Sequence, residues 1–277
     1  MSKRIYAAHL NQYIVVGGVI QPTRDELATL PKLKEFGIDY SQIPLHCDLT
    51  PKALPILRRV LLNNIRGDCF IAAMNHLEGC AVEENGGIFN PSDAQITTEY
   101  SGACGFNPSD PQNTDNGCTA NAVFSYYKTK GFSNGTKING AIQIDNTNPE
   151  EVAAAIYLMG AGVIVTTGLP DAWISPFPSA DGYCWHVTSK GENWDNGHAY
   201  YYPGYKTVGG KKQFKTDSWG LFGWQSEEAN AKYSINYAVL TPDIIAKGKQ
   251  KAPNGLDWKK IEEYFKGFRP PPIPATL

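Results

Sequence analysis

The sequence has 277 residues, with 25 lysines and arginines against 27 aspartates and glutamates, which leaves a net charge of −2. A chain of this length can bury a core without disulfide staples, and a balanced charge provides no field to attract the phosphates of a nucleic acid. Because no run of about 18 apolar residues occurs, we expect no membrane span. The most apolar early stretch, Tyr13–Ile20, is short, contains two glycines and lacks a small-residue cleavage site after it, so we expect no secretory signal.

The first 45 residues are expected to form an N-terminal arm, extended at first and then helical over Arg24–Phe36, where leucines recur at helical spacing. A short helix is predicted over Pro51–Leu62. Thr50 can cap it, and Pro51 suits the first helical position because the missing N–H costs nothing there.

A second helix is predicted from Cys69 to Cys80, since its small and apolar residues recur at i, i+3 and i+4 and suit burial in a core. The segment Gly86–Gly117 is rich in turn-forming residues and is expected to be mainly loop, broken by a short helix over Asp93–Tyr100. A further helix is predicted over Thr119–Lys130.

The hydrophobic period changes after a last helix at Pro149–Met159. Four short segments rich in aromatic and β-branched residues predict strands: Gly162–Thr167, Gly197–Tyr202, Lys212–Thr216 and Tyr233–Leu240. Helices followed by strands indicate an α+β fold with a mostly antiparallel sheet. Residues 246–277 are predicted to form a C-terminal extension with a Pro-rich tail from Arg269.

Six cysteines in a chain of this length are too sparse for a disulfide framework, and we expect reduced thiols. Cys69 differs from the others because the N-terminus of a helix presents unpaired N–H groups and the positive end of the helix dipole, which favour a thiolate. The alternative for Cys69 is a buried, inert cysteine.

Three segments follow one another in a recognisable order: Cys69-Phe70, then Gly197-His198-Ala199 running to Gly204-Tyr205, then Asp217-Ser218-Trp219-Gly220 with Trp224. This order resembles the papain-like cysteine peptidases, and the residues around Gly67-Asp68-Cys69 are similar to a bacterial and phage branch of that family. The resemblance implies a papain-like domain over residues 46–245, with a helical half that carries the nucleophile packed against an antiparallel sheet or barrel.

The resemblance also implies the roles of four residues. Cys69 is the expected nucleophile, His198 the general base, and Asp217 the residue that orients the imidazole. Asn63 takes the position of the family's oxyanion-hole glutamine, although it is one methylene shorter. Asp217 stands where most relatives have asparagine, and a carboxylate there can still accept the imidazole N–H.

The substrate groove is expected along Gly117, Cys118 and Gly197, with Trp219 covering the bond between His198 and the acid. No metal or cofactor is required. Arg66 lies where relatives often have a disulfide cysteine, which leaves Cys118 without its usual partner. The first 45 residues are shorter than the inhibitory prosegment of many relatives.

Other readings stay open. His186 competes for the role of base, and the pairs His46-Cys47 and His76 with Cys80 have spacings that could bind zinc. A catalytically silent papain-like domain, serving as a structural or virion-associated binding module, is the alternative to a peptidase. The expected partner is a peptide or protein substrate, with a further partner conceivable through the arm or the tail, in a cytoplasmic or virion-associated protein.

Overall fold

The computed structural model describes residues 3–251 and 256–267, so the predicted Pro-rich tail lies outside the described residues. The strands are β1 (Lys3–Ala7), β2 (Gln12–Val16), β3 (His46–Asp48), β4 (Gly140–Ile144), β5 (Val163–Gly168), β6 (Tyr183–Trp185), β7 (Gly197–Val208), β8 (Lys211–Ser218), β9 (Leu221–Ser226) and β10 (Ser234–Leu240).

The α-helices are α1 (Arg24–Ala28), α2 (Thr50–Leu57), α3 (Cys69–Glu84), α4 (Asp93–Cys104), α5 (Pro111–Thr114), α6 (Ala120–Thr129), α7 (Pro149–Met159), α8 (Asp171–Ile174), α9 (Glu227–Tyr233), α10 (Pro242–Lys251) and α11 (Trp258–Gly267). The predicted α+β class is confirmed.

One eight-stranded sheet forms half of the fold, in the order β4-β10-β5-β7-β8-β9-β6, with β3 also paired to β7. All of its strand pairs are antiparallel except β6 with β9. Over the described residues the sheet is open, so the barrel that was expected as one form of this half is not seen. The register between β7 and β8 shifts between Tyr201 and Gly204, as at a β-bulge.

Helix boundaries follow local capping. Helix α4 begins with a capping box between Ser92 and Gln95, and α7 begins where the Asn148 side chain accepts the N–H groups of the first turn. Helix α7 ends at Gly160, whose φ of 64° suits a residue without a Cβ.

Helix α2 ends five residues earlier than predicted, at Leu57. Thr50 lies inside the helix, and the preceding residue makes no side-chain cap. The chain then turns through Leu61 and Leu62, which both have positive φ, and this turn leads to the start of α3.

Helix α3 is buried on nearly all sides, from Cys69 to Ala81. It packs against α2 on one side and against β7 on the other. Because small residues such as Ala72 and Ala73 allow close approach, the N-terminus of α3 lies directly against the sheet.

Cys104 at the end of α4 forms a disulfide with Cys118, with their Cα atoms 5.3 Å apart. The expectation of reduced thiols was therefore wrong for this pair: Cys118 lacks the family's usual partner at Arg66 but is bonded to Cys104. Its partner comes from the segment predicted to be mainly loop, which the longer helix α4 brings next to the start of α6.

Residues of the arm and of the C-terminal extension share one buried cluster with the rest of the chain. The arm contributes Ala7 and Ile14, and α11 contributes Ile261 and Phe265. No helix in the described part of the chain has both the length and the apolar character that crossing a bilayer requires.

Candidate active site

Cys69 is the first residue of α3, as predicted, and its side chain is buried. Its Sγ accepts a hydrogen bond from the Ala199 N–H at 3.3 Å. Ala199 follows His198 on β7, so the start of the helix and the strand that carries the histidine meet at the sulfur.

Cys69 and His198 line one small cavity of about 10 Å³, roughly the volume that a single water needs. The His198 ring stacks on Trp219 with 3.7 Å between ring centroids and 2° between ring planes. Its Nε2 lies 2.9 Å from the Ser218 Oγ, and its buried Nδ1 has no hydrogen-bond partner. The nitrogen that could accept the thiol proton is thus unengaged.

Asp217 does not contact His198 in the way that was expected. Its Oδ2 lies 3.0 Å from Nδ1 of His76 on α3. The reason is the pleat of β8: successive side chains point to opposite faces, so Ser218 shares a face with His198 while Asp217 faces the helix. The predicted hydrogen bond between His198 and Asp217 is replaced by the one to Ser218.

The side chains of His76 and Asp217 form a buried contact beside the site. His76 Nε2 lies 2.9 Å from the Arg59 carbonyl oxygen, which can only accept, so Nε2 carries a hydrogen. Burial raises the pKa of Asp217, and the neighbouring His76 opposes that rise. His76 is therefore engaged with an acid and a carbonyl rather than poised with Cys80 as a zinc ligand.

Asn63 lines the same cavity, and its side-chain amide bonds to the turn that precedes Cys69. The Nδ2 group donates to the Arg66 carbonyl at 3.3 Å, and the Asn63 carbonyl accepts the indole N–H of Trp219 at 3.2 Å. The side chain predicted for the oxyanion hole thus stabilises the turn that precedes Cys69.

The N-terminal arm occupies the predicted substrate groove. The Cys118 N–H donates to the Gly18 carbonyl, the Ile20 N–H donates to the Cys118 carbonyl, and the Val19 N–H donates to the Gly197 carbonyl, at 3.0 to 3.1 Å. Val19 and Cys118 pair as a parallel bridge. The residues predicted to bind substrate therefore bind the protein's own arm.

Gly18 leaves no room for a side chain. A Cβ at this position would lie 2.5 Å from the Gly67 carbonyl oxygen and 2.9 Å from the Cys69 sulfur. A Cβ on Gly117 would in turn meet the Gly18 carbonyl oxygen at 2.5 Å. Since only glycine fits this closely, the arm lies directly on the Cys69 sulfur.

A second contact of the arm reaches the other side of the site. His9 Nε2 donates to the Trp219 carbonyl oxygen at 3.1 Å, and the His9 ring stacks on Phe177, which packs against Trp219. Sequence reasoning missed both arm contacts. The contact in the groove uses backbone hydrogen bonds, which leave no residue signature, and the His9 ring bonds to a carbonyl 210 residues away in the chain.

Burial sets the protonation of both central groups. It raises the pKa of the Cys69 thiol to about 12, although the N–H groups of Ala199, Phe70 and Cys69 itself act in the opposite direction. It lowers the pKa of His198 to about 3. In the covered site a neutral thiol faces a neutral imidazole.

The competing residues lie elsewhere. His186 is exposed and does not line the cavity, and His46 lies on β3 at the far end of β7. Within the described residues, no three His, Cys, Asp or Glu side chains converge as a metal-binding group.

Comparison with solved structures identifies the fold. Xylellain, a cysteine protease from Xylella fastidiosa, superposes with a TM-score of 0.61 over 87% of this chain and 98% of its own, at 12% sequence identity. Digestive procathepsin L 3 from the larval midgut of Tenebrio molitor superposes with a TM-score of 0.53 over 77% of each chain, at 14% identity. The chain has the papain-like fold that the sequence motifs implied.

Neither protein-family models nor curated protein sequences match this chain. Its likeness to the two proteases is therefore one of structure rather than of overall sequence.

Proposed function

We propose that this chain is a cysteine peptidase that hydrolyses peptide or amide bonds through Cys69 and a thioacyl intermediate. One observation carries the proposal: in a papain-like fold, a cysteine at the N-terminus of a buried helix and a histidine on the facing strand line the same cavity. Such a pair is the arrangement that nucleophilic catalysis by a thiol requires.

In the proposed reaction, His198 Nδ1 takes the proton from the Cys69 thiol, and the sulfur attacks the carbonyl carbon of the substrate. The C–N bond then breaks as His198 returns that proton to the leaving amine. Water attacks the thioester, gives a proton to His198, and releases the acid together with the restored thiol. Asn63 contributes one of the two N–H groups of its side-chain amide to the oxyanion.

The arm in the groove is, in this proposal, an intramolecular inhibitor. It satisfies the backbone groups of Cys118 and Gly197 and covers the sulfur. When it leaves, water and substrate enter, and the loss of burial moves the pKa of Cys69 downwards and that of His198 upwards. The reactive ion pair forms only in that open state.

Gly18→Val tests the proposal, because the new side chain cannot share space with the Gly67 carbonyl and the Cys69 sulfur. We expect alkylation of Cys69 by iodoacetamide at neutral pH to become at least about tenfold faster. This factor corresponds to a loss of about 1.4 kcal/mol from the free energy that holds the arm in the groove. Peptide mapping by mass spectrometry identifies the labelled thiol, and a peptide library reports cleavage.

Gln21→Ala, at an exposed position just beyond the groove segment, is the matched control and should label like the unchanged chain. In the Gly18→Val background, His198→Ala should abolish the fast labelling. Equal and slow labelling of several thiols in every variant would rule out the peptidase.

A catalytically silent module is the second candidate, and one observation favours it. The thiol and the imidazole are both neutral and covered, and the acid is paired with His76. If Gly18→Val uncovers Cys69 but the thiol reacts no faster than exposed Cys184, the silent module is the better description.

A further inference from the structure

We propose that the Ser218 hydroxyl, and not the Asp217 carboxylate, is the positioning residue that orients His198. This inference rests on the proposed function, since orientation matters only if His198 moves a proton. It starts from the hydrogen bond of 2.9 Å between His198 Nε2 and Ser218 Oγ, within a buried part of the sheet.

The stack on Trp219 cannot orient the histidine by itself. Ring planes 2° apart fix the plane of the imidazole. A 180° flip of the ring preserves that stack but exchanges the nitrogen edges for carbon edges. Only a hydrogen bond to one ring nitrogen distinguishes the two orientations. Among the described residues, Ser218 is the partner of Nε2, and Nδ1 has none.

The same bond selects the tautomer that the reaction needs. Nδ1 must be free of hydrogen to accept the thiol proton, so the ring hydrogen must be on Nε2. A hydroxyl oxygen that accepts the Nε2–H holds this tautomer, and it remains a suitable acceptor when the ring becomes an imidazolium.

Asp217 cannot replace Ser218 without a change in strand register. Strand β8 pairs with β9 from Gln213 to Ser218, and Asp217 pairs with Tyr201 on β7. Shifting β8 by one residue would bring the carboxylate to the His198 face, but it would also invert every other side chain of the strand. Asp217 lines the same cavity as Ser218 and His198, but its Oδ2 contacts the His76 Nδ1 at 3.0 Å.

A matched pair of variants isolates the hydroxyl. Ser218→Thr keeps the hydroxyl. Ser218→Val places a side chain of nearly the same shape as threonine there, but without the hydroxyl. In full-length chains that also carry Gly18→Val, we expect Ser218→Val to lower kcat by about 10- to 100-fold, the range for loss of one hydrogen bond to a charged group, with little change in KM. Ser218→Thr should restore most of kcat.

A second readout does not depend on activity. Nitrogen-15 NMR of the histidine rings distinguishes the two tautomers, and we expect the Nε2–H form of His198 in the unchanged chain, in Ser218→Thr and in Asp217→Asn. Ser218→Val should give a mixture.

The two readouts separate the two proposals. Loss of the Nε2–H form in Asp217→Asn and its retention in Ser218→Val would overturn the role of Ser218. Equal kcat for the Thr and Val variants in an active protein would also overturn it. If the tautomers behave as expected but no variant cleaves any peptide, the peptidase fails while Ser218 remains the residue that orients the ring.

Discussion

The N–H groups around the Cys69 sulfur favour a charged thiolate, as the position of the cysteine at a helix N-terminus predicts. The thiol nevertheless stays protonated in the covered site, because removing a charge from water costs more than three N–H dipoles return. His198 stays neutral for the same reason. Cys69 and His198, the two residues that the sequence predicts for catalysis, are thus both neutral in the covered site.

This burial predicts how stability depends on pH. The pKa of His198 is about 3 in the folded protein and about 6.5 in an unfolded chain. Between these values the unfolded chain binds a proton that the folded chain does not, so this group reduces stability as the pH falls below about 6.5. Above that pH the imidazole is neutral in both the folded and the unfolded chain, so it no longer makes stability depend on pH.

We therefore expect the free energy of unfolding of the unchanged chain to fall faster on acidification than that of His198→Gln. Urea unfolding of both proteins at neutral and at mildly acidic pH measures the difference. His186→Gln, at an exposed position, should follow the unchanged chain. Identical pH dependence in the unchanged chain and His198→Gln would contradict the burial of a neutral imidazole.

Among the elements, strand β8 decides which polar side chain reaches the histidine. The period of two residues along the strand places Asp217 towards α3 and Ser218 towards His198. The motif Asp-Ser-Trp-Gly does not reveal this by itself, because its register against β7 is set by pairing across the sheet. Once that pairing is known, the alternation of side chains along β8 shows which of Asp217 and Ser218 lies on the same face as His198.

The disulfide at the end of α4 should raise the free energy of unfolding by a measurable amount. Its cysteines are 14 residues apart in sequence, and closing a loop of about this length stabilises a protein by about 3 kcal/mol. We expect Cys104→Ser to lose an amount of this order in urea unfolding. Cys184→Ser, at an exposed cysteine outside the disulfide, is the control and should lose little; an equal loss in both would contradict the bridge.

Over the whole molecule, the arm joins the two halves of the fold. It bonds to Cys118 near the start of α6, to Gly197 on the sheet, and through His9 to the Trp219 carbonyl. One short segment therefore closes the cleft by holding groups from both sides of it.

Limited proteolysis tests this closure. In the unchanged chain the segment around Gly18 is buried and hydrogen-bonded, so it should resist cleavage as the core does. In Gly18→Val we expect early cuts near this segment while the remainder stays intact. Cuts distributed throughout the chain would instead indicate global unfolding, and an unchanged pattern would mean that the arm still lies in the groove.

The C-terminal helix α11 was not predicted, although its sequence carries the signal. Trp258, Ile261 and Phe265 recur at helical spacing and are all buried. By contrast, α7 was predicted with its observed limits, because an Asn cap, a proline in the first turn and a terminal glycine mark both ends locally. In both helices, neighbouring residues alone therefore carry enough information to predict the helix.

Sequence patterns alone predict the α+β class, the helix that begins at Cys69, the strand that carries His198 and their papain-like order. These depend on spacing, capping and side-chain period, which are properties of neighbouring residues. Three contacts emerge only in the folded chain: Ser218 rather than Asp217 meets His198, Cys104 pairs with Cys118, and the arm fills the groove. Each of those contacts joins residues far apart in the chain, and burial, strand register and backbone hydrogen bonding across the cleft exist only after the halves have packed together.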